Sequence, residues 1–267
     1  LSSIDNGRGG GASLKTNRGP LVFTIDGYTH QSEDYGISGP AMSQRLANAL
    51  SVPRPWASTV VNSASAIDQL GAGLSWVGDA GYFGGSVKTT NSTYGTVAEP
   101  DVTIQLEQTR YDMRGEHTLG TPWFDKVRLG AAYADYTHTE FEGADTGTVF
   151  FSNGYEGRLE LIQRPRKGWQ GVIGGQLLDR DFDAAGAEAY VPRTTTREHG
   201  LYTVQRLDRD AWGIEGGIRF DSHRVDSPLV DRSFNNVSAS AGLFVRPTRP
   251  LFLGLTIARN ARAPSEV

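Results

Sequence analysis

Residues 237–267 read VSASAGLFVRPTRPLFLGLTIARNARAPSEV. Two alternating runs flank a tight turn at Arg246-Pro247-Thr248-Arg249-Pro250. In the first, Val237, Ala239, Ala241, Leu243 and Val245 share one face and Asn236, Ser238, Ser240 and Gly242 the other. In the second, Leu251, Leu253, Leu255 and Ile257 share a face, opposite Gly254, Thr256 and Ala258. Successive side chains of a strand point to opposite faces, so strict period-two alternation marks a strand between two different media. One aliphatic face and one small or polar face fit a membrane barrel strand, apolar toward lipid and polar toward a lumen. A soluble sandwich can show the same pattern, and the rest of the chain decides between them.

The pattern recurs along the whole sequence. Leu21, Phe23 and Ile25 alternate, as do Leu70, Ala72, Leu74 and Trp76 before the turn Gly78-Asp79-Ala80-Gly81. A strand from Val102 to Glu116 sets Tyr111 and Met113 against Asp112 and Arg114, and Val127, Leu129, Ala131 and Tyr133 follow. Tyr155, Gly157, Leu159 and Leu161 oppose Glu156, Arg158 and Glu160, three successive charges on one face that suit a watery lumen and not a packed core. Trp169 to Leu177, Arg197 to Leu207 and Trp212 to Phe220 continue the series. About twelve strands are expected, many near the roughly 9–11 residues that cross a bilayer obliquely. Ser2 to Ser13, with Gly9, Gly10 and Gly11 in a row, reads as a flexible entry, since no Lys-Ser/Thr follows to make a phosphate loop. Residues 31–66 read as a long irregular loop with a short helix over 41–50; 91–100, 142–148, 183–196 and 221–232 read as connections. Trp76, Tyr82, Trp123, Phe124, Trp169, Trp212 and Phe252 are expected to form an interfacial girdle.

Composition narrows the alternatives. Hydrophobic residues are 38% of the 267 and no long apolar run exists, which excludes a helical membrane protein but not a barrel, whose strands hide their hydrophobicity in alternate positions. Cysteine is absent, so disulfide frameworks, thiolate metal sites and cysteine nucleophiles are excluded. A net charge of -4 argues against general nucleic-acid binding. No Gly-x-Ser-x-Gly elbow with a supporting histidine appears, so an enzyme is not expected. The chain opens at Leu1 without a signal peptide, and its last residues follow a strand. A fragment of a larger barrel is therefore expected.

With the hairpins laid out, residues 255–267, LTIARNARAPSEV, resemble a strand of the TonB-dependent outer-membrane receptors that ends in Arg-Ala-Pro-Ser/Thr and an acidic residue, here Arg262, Ala263, Pro264, Ser265 and Glu266. Residues 94–112 and 133–161 add to the resemblance, toward the branch with zinc- and iron-complex receptors. It implies an all-β transmembrane antiparallel barrel in the bacterial outer membrane, with residues 1–267 as part of a 22-stranded wall and the plug domain and C-terminal strands outside the chain. It also implies import of a scarce ligand such as a ferric siderophore, energised by TonB through an N-terminal region, with no resident cofactor. The alternative is a passive pore of about twelve strands. Ligand contacts are expected at the loop ends from His30, Tyr35, Tyr94, His138, Tyr190 and Arg193, because aromatic and basic groups can hold an anionic chelate. His30 and His138 fall near one end of their strands with Glu33, Asp34, Glu140 and Glu142, a set suited to metal capture if the strands bring it together. The loop at 91–100 lacks the histidines of the zinc branch. Arg259, Asn260 and Arg262 are expected to contact the plug through the lumen wall.

Overall fold

The structure is a computed structural model that describes residues 2–54, 56–187 and 189–264. Twelve strands form one antiparallel sheet in chain order, each hydrogen-bonded to its sequence neighbours. They are β1 (Arg8–Arg18), β2 (Leu21–Ser32), β3 (Ser65–Gly78), β4 (Gly81–Thr96), β5 (Glu99–Thr118) and β6 (Phe124–Glu142). The series continues through β7 (Asp145–Gln163), β8 (Trp169–Gly186), β9 (Thr194–Asp208), β10 (Trp212–Asp226), β11 (Asp231–Thr248) and β12 (Leu251–Arg259). One short helix, α1 (Gln44–Leu50), lies between β2 and β3 and is capped by the Ser43 side chain. Among the described residues, β1 and β12 are the sheet's edges and do not pair with each other.

Register fixes the faces. Leu243 stands opposite Leu255 and Val245 opposite Leu253, as the alternation requires. Leu243 also faces Ile214, and Val237 faces Phe220, so the aliphatic face runs on across β10. Leu201, Ile218, Leu255 and Ile257 on this face are exposed. On β8 the outward apolar run extends from Trp169 to Leu177. That is roughly 27 Å along the strand, or about 20 Å of height once the strand tilts by about 40°, most of the band of about 25 Å that an outer-membrane barrel presents to lipid.

The polarity inverts where the strands outrun the bilayer. Tyr111, Tyr133 and Tyr155 form one row across β5, β6 and β7 on the outward face. Beyond this row the outward residues become polar, with Thr109, Asp135 and Asn153 on the next outward row. The inward face there becomes apolar, with Ile104 only 6% exposed. The tyrosine row thus marks the upper membrane boundary, above which water is outside and a small core is inside. Trp76, Trp169 and Trp212 occupy the outward face at the opposite end, near the turns. Tyr82 and Phe252 do not join this girdle. Tyr82 pairs with Glu116 on the inward face, and Phe252 stacks on inward Phe244 with ring centres 5.6 Å apart.

Hairpins reach further than the sequence reading expects. Residues 91–100 are not a loop, because β4 and β5 pair up to a two-residue turn at Val97-Ala98. Residues 142–148 likewise fold into the β6–β7 hairpin around Gly143-Ala144. Gly9, Gly10 and Gly11 belong to β1, paired with His30, Thr29 and Tyr28. In each case cross-strand hydrogen bonds supply the order that local propensity withholds.

The longest connections, β2–β3 and β8–β9, lie at one end, and the β2–β3 connection is held by a clasp. The Asp34 carboxylate accepts the backbone N–H groups of Asn62, Ser63 and Ala64 at 3.2, 2.7 and 2.9 Å. Asn62, in the left-handed conformation with φ of 61°, donates its amide to the carbonyls of Thr96, Glu99 and Val102. Gly95 makes room for it, since a Cβ there would overlap the Asn62 side chain. Those amide donors, with the Ser63 N–H foremost, hold the Asp34 carboxyl below its ordinary value.

Candidate functional site

The inward face of the sheet is the candidate site, and it is built in three tiers. The middle tier is a ladder of charges on β5 to β10. Arg110 reaches Asp112 on its own strand at 3.1 Å and Glu156 across β6 at 2.8 Å. Glu116 accepts Lys126 and Arg128, both at 2.7 Å. Arg158 bonds Glu160 at 2.7 Å and the Tyr202 hydroxyl at 2.8 Å, and Arg219 lies over the same tyrosine ring. A hollow of about 450 Å³ opens here, lined by Tyr82, Arg110, Arg114, Arg128, Glu156 and Arg158. Charges spaced two residues apart on a strand share a face, which is why the sequence places them all in the lumen.

At the turn end, Phe244 is buried between two guanidinium groups, with Arg206 at 4.6 Å and Arg246 at 4.8 Å from its ring centre. Arg246 also binds Asp208 with both terminal nitrogens, at 2.8 and 3.0 Å. This cation–π and ion-pair stack stiffens the rim.

At the loop end the inward face carries aromatics. The Tyr136 hydroxyl lies 3.1 Å from His138 Nδ1. The His138 ring meets Phe150 edge-on at 5.3 Å, and Phe150 in turn neighbours Phe182 at 6.3 Å. His138 Nε2 has no hydrogen bond, and its nearest carboxylate is Glu140 at 3.5 Å. Tyr136 and Phe182 also line a second hollow of about 440 Å³ with Gln108, Arg110 and Ser152. This amphipathic surface can stack an aromatic group and offer donors to an anion.

Of the residues singled out in the sequence, His30, Tyr94 and His138 all lie on β strands near this end and face inward. His30 and His138 share one row but are separated by Ile67, Ser92 and Leu106 on three intervening strands. Four strand spacings amount to about 19 Å, so the two do not form a metal site. Among the described residues no group of three potential ligands is placed to hold a metal. Tyr35 sits at the base of the β2–β3 loop, its N–H bonded to Ser63. Tyr190 and Arg193 lie between β8 and β9, with Tyr190 83% exposed. Arg259 pairs with Ala239 and shares the outward face with Ile257, while Asn260 and Arg262 follow the strand. Ser265 and Glu266, which complete the Arg-Ala-Pro-Ser-Glu segment, lie outside the described residues.

Two features escaped the sequence reading. His223 is 7% exposed, its Nδ1 2.9 Å from Glu198 Oε1 and its Nε2 without a partner. Its position two residues after Asp221 placed it on the inward face, but only register shows Glu198 opposite. The Phe150–Phe182 contact needed register for the same reason.

Known proteins share this architecture. The profile of the TonB dependent receptor-like, beta-barrel family matches residues 52–266. The iron transporter FrpB from Neisseria meningitidis superposes with a TM-score of 0.79 at 13% identity, over 97% of this chain and 46% of that one. The copper transporter OprC gives 0.77 at 14% identity, over 97% and 44%. The Serratia marcescens hemophore receptor HasR, solved with its hemophore HasA and heme, gives 0.73 at 14% identity, over 97% and 43%. The chain thus spans less than half the length of these structures, and at such identities they establish the fold alone. The profile match, the unbroken antiparallel sheet and its lipid-facing band lead to one conclusion: this chain belongs to the TonB-dependent receptor β-barrel family of the bacterial outer membrane.

Proposed function

We propose that the chain forms part of the wall of an energy-coupled receptor that imports a scarce metal chelate, such as a ferric siderophore. The observation that carries this reading is the inward loop-end surface, where Tyr136, His138, Phe150 and Phe182 stand above a ladder of paired charges. Stacking and donor groups at the mouth suit a bulky, anionic, ring-bearing ligand. His30, Tyr94 and His138 would contact it from the wall, and Tyr35, Tyr190 and Arg193 from the loops. TonB would act through parts of the protein beyond this chain, and a plug would lie against the inward face near Asn260 and Arg262. The relatives named as iron and copper transporters and as a hemophore receptor support the chemical class without fixing the ligand. A passive twelve-stranded pore fits less well, because it requires β1 to pair with β12.

Uptake of radiolabelled ferric siderophores by cells carrying the receptor tests the reading. Uptake should cease when the proton-motive force is collapsed, and Phe150→Ala with Tyr136→Ala should lower it at least about tenfold, since each lost stacking contact is worth about 1 kcal/mol. Uptake that survives loss of the proton-motive force would count against an energy-coupled receptor.

A further inference from the structure

Among the described residues, the charge ladder on β5 to β7 contains one cation without a counter-ion. Arg114 lies on β5 between Asp112 and Glu116, two residues from each and on their face. Both carboxylates are turned elsewhere, Asp112 to Arg110 and Glu116 to Lys126 and Arg128. Glu156 and Glu160, the next along the wall, are held by Arg110 and Arg158. Among the described residues, Arg114 is the one arginine of the hollow with no hydrogen bond, ion pair or ring contact. Lys88 is also unpaired, but it has Asp26 on its own row across Gly71. Arg114 has no such neighbour.

Its surroundings leave it open. Arg114 is exposed, and its cross-strand neighbours are Gly84 and Gly130, so no side chain covers it from either adjoining strand. A Cβ at Gly130 would meet nothing within 4 Å. A guanidinium is a planar fork of donors that matches a carboxylate with two parallel bonds. The cations of the hollow exceed its carboxylates by one, which suits a singly charged anion. A dianionic phosphate would meet three carboxylates already in place, Asp112, Glu156 and Glu160.

We propose that Arg114 is an anion-binding residue of the lumen wall that takes one carboxylate in bidentate fashion. The carboxylate is supplied by a solute in the lumen or by another segment of the same protein lying there. The proposal rests on the inward face being a receptor lumen, but not on the identity of the imported ligand.

The test uses the full-length receptor in detergent, with Arg114→Gln, Arg114→Lys and the wild type compared by saturation-transfer NMR against benzoate and by thermal unfolding. A solute-binding site gives a benzoate signal that falls about tenfold in Arg114→Gln, the size of one charge-assisted pair, with unchanged melting. An internal carboxylate gives no benzoate signal in any form and lowers the melting temperature of Arg114→Gln by about 2–4 °C. In either arm Arg114→Lys keeps the charge, loses the fork and recovers part of the effect. If Arg114→Gln alters neither benzoate binding nor melting, the proposal is overturned. Siderophore uptake is scored separately, so failure of the import reading leaves this result interpretable.

Discussion

Asp34 shows how much one side chain can organise. It accepts three backbone amides of the returning loop, and the next residue in that network, Asn62, grips three carbonyls of the β4–β5 hairpin. Asp34→Asn keeps the shape but removes the charge, and a charge-assisted bond is worth about 1.5 kcal/mol or more. Hydrogen exchange at Asn62, Ser63 and Ala64 should therefore accelerate roughly tenfold in the variant. The pH dependence has a definite sign. The folded-state pKa of Asp34 is lowered, so its stabilisation is in place at neutral pH and is lost as pH falls through that lowered value, below the ordinary carboxylate range. Protection of the loop should hold from neutrality down to mildly acidic pH and collapse only in strong acid. In Asp34→Asn this acid-dependent step should be absent.

At the level of the strand, the two faces carry opposite demands. Ile218 faces lipid between Thr203 and Ala239, whereas Ser240 faces the lumen beside Gly217. Ile218→Lys should cost about 2–4 kcal/mol in denaturant unfolding from lipid vesicles, and Ser240→Lys should stay near zero. Equal effects would mean that the faces are assigned the wrong way round. Alternation made these faces legible in the sequence, from Leu21 to Ile257, because lipid and lumen impose a period of two. It failed above the tyrosine row, where the outward face meets water and the inward face packs only a small core. Asn91 to Pro100 and Glu142 to Thr148 have no apolar stripe to read, and their glycines and threonines resemble loop composition, yet pairing carries the strands through them. The candidate site was legible only as a list. Tyr94 and His138 were found by residue type, but their neighbours depend on register, which places Ile104 and Phe150 beside them and keeps His30 four strands away from His138.

For the molecule as a whole, the position in the membrane follows from two aromatic levels. Tyr111, Tyr133 and Tyr155 lie at the loop end and Trp76, Trp169 and Trp212 at the turn end. Emission from a variant retaining Trp212 alone should be quenched by brominated lipids and spared by aqueous iodide. A variant retaining only Trp56, 74% exposed in the β2–β3 loop, should show the reverse. If iodide reaches Trp212, the outward face is not in lipid.

The order of the strands has one more consequence. Among the described residues each strand pairs only with its neighbours in sequence, so this part of the wall can assemble like a zip, one hairpin after another. Such a chain tolerates being cut. Severed at Arg209–Ala211, a turn between two closely paired strands, the halves retain complementary edges on β9 and β10 through which they can rejoin.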